Sequence, residues 1–120
     1  MSLKHKAHAL AIHCIDFRFQ EMIDADLAKR GLNGSCDRIA WPGASKEADK
    51  VMEAAKTSLK LHNPDKAVIY EHEDCGAYGK NNSLETHRNN AENLANRLKE
   101  IKSGIQVIPI MATFGGIREL

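Results

Sequence analysis

No segment of this sequence approaches the roughly 20 consecutive apolar residues that cross a bilayer, so a membrane-spanning helix and a membrane partner are not expected. Charge of one sign is also missing. Seventeen Lys and Arg stand against sixteen Asp and Glu, a formal net charge of +1. Without a basic stripe, nucleic acid is not expected as a partner either. The opening Met1-Ser2-Leu3-Lys4-His5-Lys6 is followed by no long apolar stretch and no small-residue cleavage site, which argues against a secretory signal. Met1-Ser2-Leu3 has the look of a cloning scar. Cysteine is scarce, and its count of three is odd, so a disulfide framework is not predicted. In a cytoplasmic chain, the localisation expected here, so few cysteines serve metals or catalysis more often than crosslinks. Repeats, low-complexity tracts and linkers are lacking. So are G-x-G-x-x-G and G-x-x-x-x-G-K-[ST], which removes the usual nucleotide-binding loops. With 42% apolar and 28% charged residues, the 120 residues are expected to form one soluble domain, 1–120, around one core.

What is present is an alternation of strand and helix patterns. His8 to His13 is a short, mostly apolar strand. Phe19, Met22, Ile23, Leu27 and Arg30 follow at spacings of three and four, a helix that Gly31 and Gly34 stop. Asp37 to Trp41 is a second strand, ended by Pro42-Gly43. Ser45 is placed to cap a helix whose apolar stripe is Ala48, Val51, Met52, Ala55 and Leu59. Asn63-Pro64 ends that helix. Lys66 to Tyr70 is a third strand running into His72. Ser83 is placed to cap a third helix with Ala91, Leu94, Ala95, Leu98 and Ile101 inward. Ile105 to Thr113 is a fourth strand, and Pro109 within it predicts a sheet edge. Gly115-Gly116 then permits a tight turn and a short returning strand. This alternation predicts an α/β fold: a four-stranded, mainly parallel sheet in the order 2-1-3-4, with helices on both faces. The first helix falls on one face and the other two on the opposite face. One short helix cannot cover a four-stranded face, so a homodimer or higher homo-oligomer is expected.

Two segments carry the chemistry. One is Cys14-Ile15-Asp16-Phe17-Arg18 and the other is His72-Glu73-Asp74-Cys75-Gly76. In the order 2-1-3-4, strands 1 and 3 are neighbours and the winding reverses between them, which is where open parallel sheets bind ligands. Cys14 follows strand 1, and His72 and Cys75 follow strand 3. Topology therefore converges on the same three residues as the motif. Two thiolates and an imidazole favour zinc, and three protein ligands rather than four are the pattern of a catalytic site. Any one of these residues alone reads better as a buried cysteine or a satisfied histidine; together, at this spacing and place, they read as a metal site. Asp16 is near enough to reach the same metal. Arg18 can fork onto its carboxylate, keeping it ionised and oriented. Asp16 could then accept a proton from metal-bound water, or rotate and fill the fourth position. A plain surface ion pair is the competing reading. Gly76 is expected to permit a tight turn behind Cys75. Pro42-Gly43-Ala44-Ser45 is either an ordinary turn or an anion cradle of backbone N–H groups. His13 and His87 are candidate proton relays or simply packed histidines, and Cys36 reads as a small buried apolar side chain. Glu73, Asp74 and Tyr78 lie near the loop without an assigned role. A cysteine phosphatase is disfavoured, because Gln20 stands where the arginine is needed and Asp16 would repel phosphate.

The two segments, in this order, resemble the beta class of carbonic anhydrases. That resemblance implies zinc held by Cys14, His72 and Cys75, with Asp16 and Arg18 as the adjacent dyad and a dimer as the basic unit. It implies reversible hydration of carbon dioxide to bicarbonate and a proton, with zinc bringing the pKa of bound water to about 7 so that hydroxide attacks carbon. The chain departs from the family pattern in several places. It is short, with no helical arm before strand 1. Pro42-Gly43-Ala44 stands where Ala-Gly-Asn is usual. The pocket glutamine and the aromatic residues from a second subunit find no counterpart. These departures support an alternative function, a non-catalytic zinc-binding domain with Asp16 as permanent fourth ligand. Because related folds also hydrolyse carbon disulfide or carbonyl sulfide, the resemblance leaves that hydrolysis open as well.

Overall fold

The computed structural model describes residues 5–120, so the reading of Met1-Ser2-Leu3 lies outside the described residues. The chain forms β1 (Ala9–His13), α1 (Gln20–Lys29), β2 (Cys36–Ala40), α2 (Ala48–His62), β3 (Lys66–His72), α3 (Leu84–Ile101), β4 (Gln106–Thr113) and β5 (Gly116–Glu119). The strands make one sheet in the order β2-β1-β3-β4-β5. The first four are parallel, in the predicted order. The sheet has five strands rather than four, because the segment after Gly115 returns antiparallel along β4.

The alternation of side chains along each strand divides the core into two layers. Leu10, Ile12, Ala67 and Ile69 face α2 and α3, where they meet Val51, Met52, Ala55, Leu94 and Leu98. Ala9, Ala11, Val68, Tyr70, Ile110 and Ala112 face α1 and meet Ile23 and Leu27. The helices thus lie one against two across the sheet. Leu94 and Leu98 are fully buried, and each contributes about 1.5–3 kcal/mol by leaving water. Ser83 caps α3 as its sequence suggests, its hydroxyl accepting from the Thr86 N–H at 3.1 Å. Asn63 ends α2 in a left-handed conformation, φ 45°, just ahead of Pro64.

Three expectations need correction, the first being Ile101, which is 47% exposed at the end of α3 rather than turned inward. Ser45 does not cap α2. It lies in a 3-10 turn, Ala44–Glu47, and its hydroxyl points down to Glu71. Pro109 does not mark an outer strand, since β5 lies outside β4. Its carbonyl accepts from the Leu120 N–H at 3.2 Å, beyond the last ladder pair Ile110–Glu119. The missing N–H of Pro109 therefore faces the point where the β5 ladder runs out, so the sheet tolerates it.

Candidate metal centre

β1 and β3 are adjacent and end side by side. Cys14 is the first residue past β1, His72 is the last residue of β3, and Cys75 lies three residues further on. One ligand atom from each of these three residues lies within 4.8 Å of the others, and all three side chains are buried. Among the described residues this is the one such cluster that the structure holds. His72 Nδ1 hydrogen-bonds to the Glu73 carbonyl at 2.8 Å, so that nitrogen carries the hydrogen and Nε2 keeps a lone pair. Nε2 is buried with no hydrogen-bond partner. A buried acceptor is rarely left in that state, and an imidazole nitrogen beside two sulfurs belongs to a set of donors that could hold a metal ion. The Phe19 ring packs on the imidazole at a centroid distance of 4.5 Å and sets its plane.

The two thiols differ in acidity. Burial would raise Cys14, but its contact with the His72 ring and the N–H groups of Gly43 and Asp16 outweigh burial and bring it down to about 7. Burial, followed by the neighbouring Cys14 sulfur, pushes Cys75 up to about 11. Burial alone would lower His72, yet the Cys14 sulfur and the Glu73 carbonyl leave it raised. Cys14 is thus the sulfur prepared for charge, whereas Cys75 needs a cation to lose its proton.

The Gly43 N–H donates to Cys14 Sγ at 3.4 Å. Gly43 has φ 79°, and a Cβ there would come within 3.1 Å of the Ala77 Cβ. Gly43→Ala is therefore expected to destabilise the protein by about 1–3 kcal/mol through left-handed strain alone, as read by urea denaturation. The segment Pro42-Gly43-Ala44-Ser45 serves the cysteine and Glu71.

Arg18 ties the two loops together. Its Nε donates to Asp16 Oδ1 at 3.0 Å and its Nη2 to Oδ2 at 2.7 Å. The same guanidinium donates through Nη1 to Asp74 Oδ2 at 3.0 Å and through Nη2 to the Asp74 carbonyl at 2.9 Å. It also lies over the Phe114 ring, 5.3 Å from the centroid. Both Asp16 oxygens are thereby engaged, and the Asp16 carboxylate is not part of the three-donor cluster. Hydrogen bonds from Arg18 hold Asp16 down at about 2. Gln20 donates to the carbonyls of Cys14 (3.1 Å) and Asp16 (2.8 Å), which fixes the loop from below.

Several expectations land elsewhere. The left-handed residue of the second loop is Asp74, φ 54°, and not Gly76. His13 and His87 are 3% and 1% exposed and hydrogen-bonded on both nitrogens, which suits neither to passing protons to bulk water. Cys36 is only half-buried. Glu71 and Asn82 were not anticipated at all. For Glu71 a signal existed: an acid in an apolar strand whose period-2 partners, Ala67 and Ile69, face the core. An apolar rim of Ile15 (56% exposed) and Phe17 (84%) lies beside the cluster. It opens on a cleft of about 580 Å³ that Cys14, Asp16, Arg18 and Pro42 line.

Fold and site together define an α/β protein with a buried thiol–imidazole cluster at the switch point of its sheet. Residues 4–114 match the family model described as "Putative carbonic anhydrase", and the chain belongs to that family. An uncharacterized protein of Rickettsia conorii is 34% identical over 83 residues, covering 62% of this chain and 45% of its own length. A second, from Rickettsia bellii, is matched over 52% of its length, so the chain spans about half of these curated relatives. Among solved structures, a carbonic anhydrase from Glaciozyma antarctica is similar at TM-score 0.68 and 14% identity, over 98% of this chain and 84% of that one. One of two tetrameric beta-carbonic anhydrases from Sordaria macrospora is similar at TM-score 0.55 and 14% identity, over 97% of this chain and 81% of that one. The fold is that of the beta-carbonic anhydrases.

Proposed function

We propose that this protein is a zinc-dependent carbonic anhydrase, hydrating carbon dioxide reversibly to bicarbonate and a proton. The observation that carries the reading is the buried cluster of Cys14, His72 and Cys75, with His72 Nε2 aimed into it and left without a partner. Two sulfurs and one nitrogen suit zinc in preference to magnesium or calcium. Zinc, when bound, supplies Lewis acidity that brings a water proton within reach of neutral pH.

The protein's own groups do the rest. Cys14, His72 and Cys75 would hold the cation, and Asp16, whose oxygens Arg18 engages, would stay outside that donor set. Asp16 stays ionised and oriented in the cleft it shares with Cys14, where it would accept a hydrogen bond from the attacking water. Ile15, Phe17 and Pro42 give carbon dioxide an apolar approach. Exposed Phe17 and Trp41 beside the cleft support a second copy of this chain as cover, in keeping with the tetrameric assembly of the Sordaria macrospora relatives. Free Cys14, Cys36 and Cys75 support a reducing, cytoplasmic setting.

Metal analysis paired with stopped-flow hydration of carbon dioxide tests the reading. One zinc per chain with rapid hydration is expected, and sedimentation should show at least a dimer at micromolar concentration. Zinc-loaded protein with no hydration above background would make this a metal-binding domain without turnover.

A further inference from the structure

Behind the metal cluster lies a second buried polar group that the chemistry above does not use. Glu71 precedes His72 on β3, so its side chain points to the opposite face of the sheet, among α2 and α3. It is 2% exposed. A carboxylate so deep needs donors, and it has them. Oε1 accepts from the Tyr78 hydroxyl and from His87 Nδ1, each at 2.7 Å, and Oε2 accepts from the Ser45 hydroxyl. The Tyr78 ring stacks on the His87 imidazole at 3.9 Å.

The far side of His87 leads back to the metal loop. The groups around the Asn82 amide fix its orientation. Only with the oxygen turned toward the N–H groups of Asp74 (3.0 Å) and Cys75 (3.2 Å), and the nitrogen donating to His87 Nε2 (2.6 Å), are all these groups satisfied, and the amide is assigned that way. An Nε2 that accepts leaves the hydrogen on Nδ1, which then donates to Glu71. The donations run in one direction, from the Cys75 turn through Asn82 and His87 to Glu71.

We propose that Asn82, anchored by His87 and Glu71, is the residue that positions Cys75. Asp74 is held in the left-handed region, so the N–H groups of residues 74 and 75 converge on one point and need an acceptor there. A lone asparagine would supply it through a mobile side chain. The ring of His87, clamped between Asn82 and Glu71, removes that mobility. Glu71 and His72 are adjacent on β3, so one rigid strand presents the His72 nitrogen on one face and holds the Cys75 turn from the other. Sequence spacing alone hides this link, because Glu71, Asn82 and His87 belong to three different elements.

Two readouts test it, and only the second rests on the metal reading above. In metal-free Asn82→Ala, amide hydrogen exchange by NMR should quicken at Asp74 and Cys75 by about fivefold or more, with α3 unchanged. Asn82→Asp keeps an oxygen for both N–H groups and should restore most of the protection. His87→Phe keeps the ring volume but frees Asn82, and should move the same two amides in the same direction. Cobalt(II), added alone and followed by its thiolate charge-transfer absorption, should bind Asn82→Ala about 10- to 100-fold more weakly than the wild type. Exchange at residues 74 and 75 unchanged in Asn82→Ala, or quickened equally throughout the chain, would overturn the proposal, as would an unaltered cobalt affinity. A wild-type protein that bound no cobalt would defeat the metal reading instead, and the exchange result would then decide the positioning role by itself.

Discussion

Asp16→Ala is expected to lower carbon dioxide hydration by about a hundredfold or more while zinc stays near one ion per chain. The reason is geometric. The three donor atoms gathered within 4.8 Å belong to Cys14, His72 and Cys75, and Asp16 is held outside them by Arg18. Removing its carboxylate leaves the donors intact and takes away the group that orients the reacting oxygen. Asp16 also stays charged wherever the protein works. Arg18 depresses it from the ordinary 3.8 to about 2. A folded-state value below the unfolded one adds stability that is fully present above about 3.8 and fades as pH falls toward 2. Asp16 titration therefore cannot shape an activity profile near neutrality. Stopped-flow rates and metal analysis on the same preparation check the prediction. Full activity would remove Asp16 from the reaction, and loss of zinc along with activity would make it a ligand.

The second large effect is expected from His72→Ala. Its Nε2 is the one buried side-chain nitrogen or oxygen, among the described residues, without a hydrogen-bond partner. Removing it leaves two thiols, too few donors for tight binding, so zinc content after dialysis should fall close to zero. Thermal unfolding gives an independent view. A ligand present at a thousand times its Kd stabilises the folded state by about 4 kcal/mol. The wild type should therefore melt more than about 10 °C higher with zinc than without, and His72→Ala should show no such rise. The wild-type affinity should also depend on pH in a definite direction. Above neutrality Cys14 is largely ionised and Cys75 still holds a proton that the metal must displace, while the raised His72 gives up its own in the lower part of that range. Affinity should then rise by about tenfold per pH unit where Cys75 alone is protonated, and more steeply near and below neutrality, where His72 and Cys14 hold protons as well. A zinc titration monitored at several pH values measures that slope. A flat profile would exclude binding through the two sulfurs.

Much of the site was legible because its residues lie at strand ends. Cys14, His72 and Cys75 stand where the alternation of strands and helices stops, and a parallel sheet in the order 2-1-3-4 brings those ends together. The Asp16–Arg18 fork was legible because both residues lie in one short loop. Ser45 was misread because a polar residue before a helix looks like a cap, and only the position of Glu71 beneath it shows another use. Pro109 was misread because a short returning strand, β5, pairs beyond it.

Residue types and their spacing determined by themselves which atoms had the right chemistry for a soft divalent cation, and which backbone segments would carry them. Tertiary structure decided the acidity of each sulfur, the engagement of Asp16 by Arg18, and the support of the Cys75 turn by Asn82, His87 and Glu71. Local pattern constrains only neighbours along the chain, whereas burial, hydrogen-bond partners and electrostatic environment depend on side chains that fold in from distant positions.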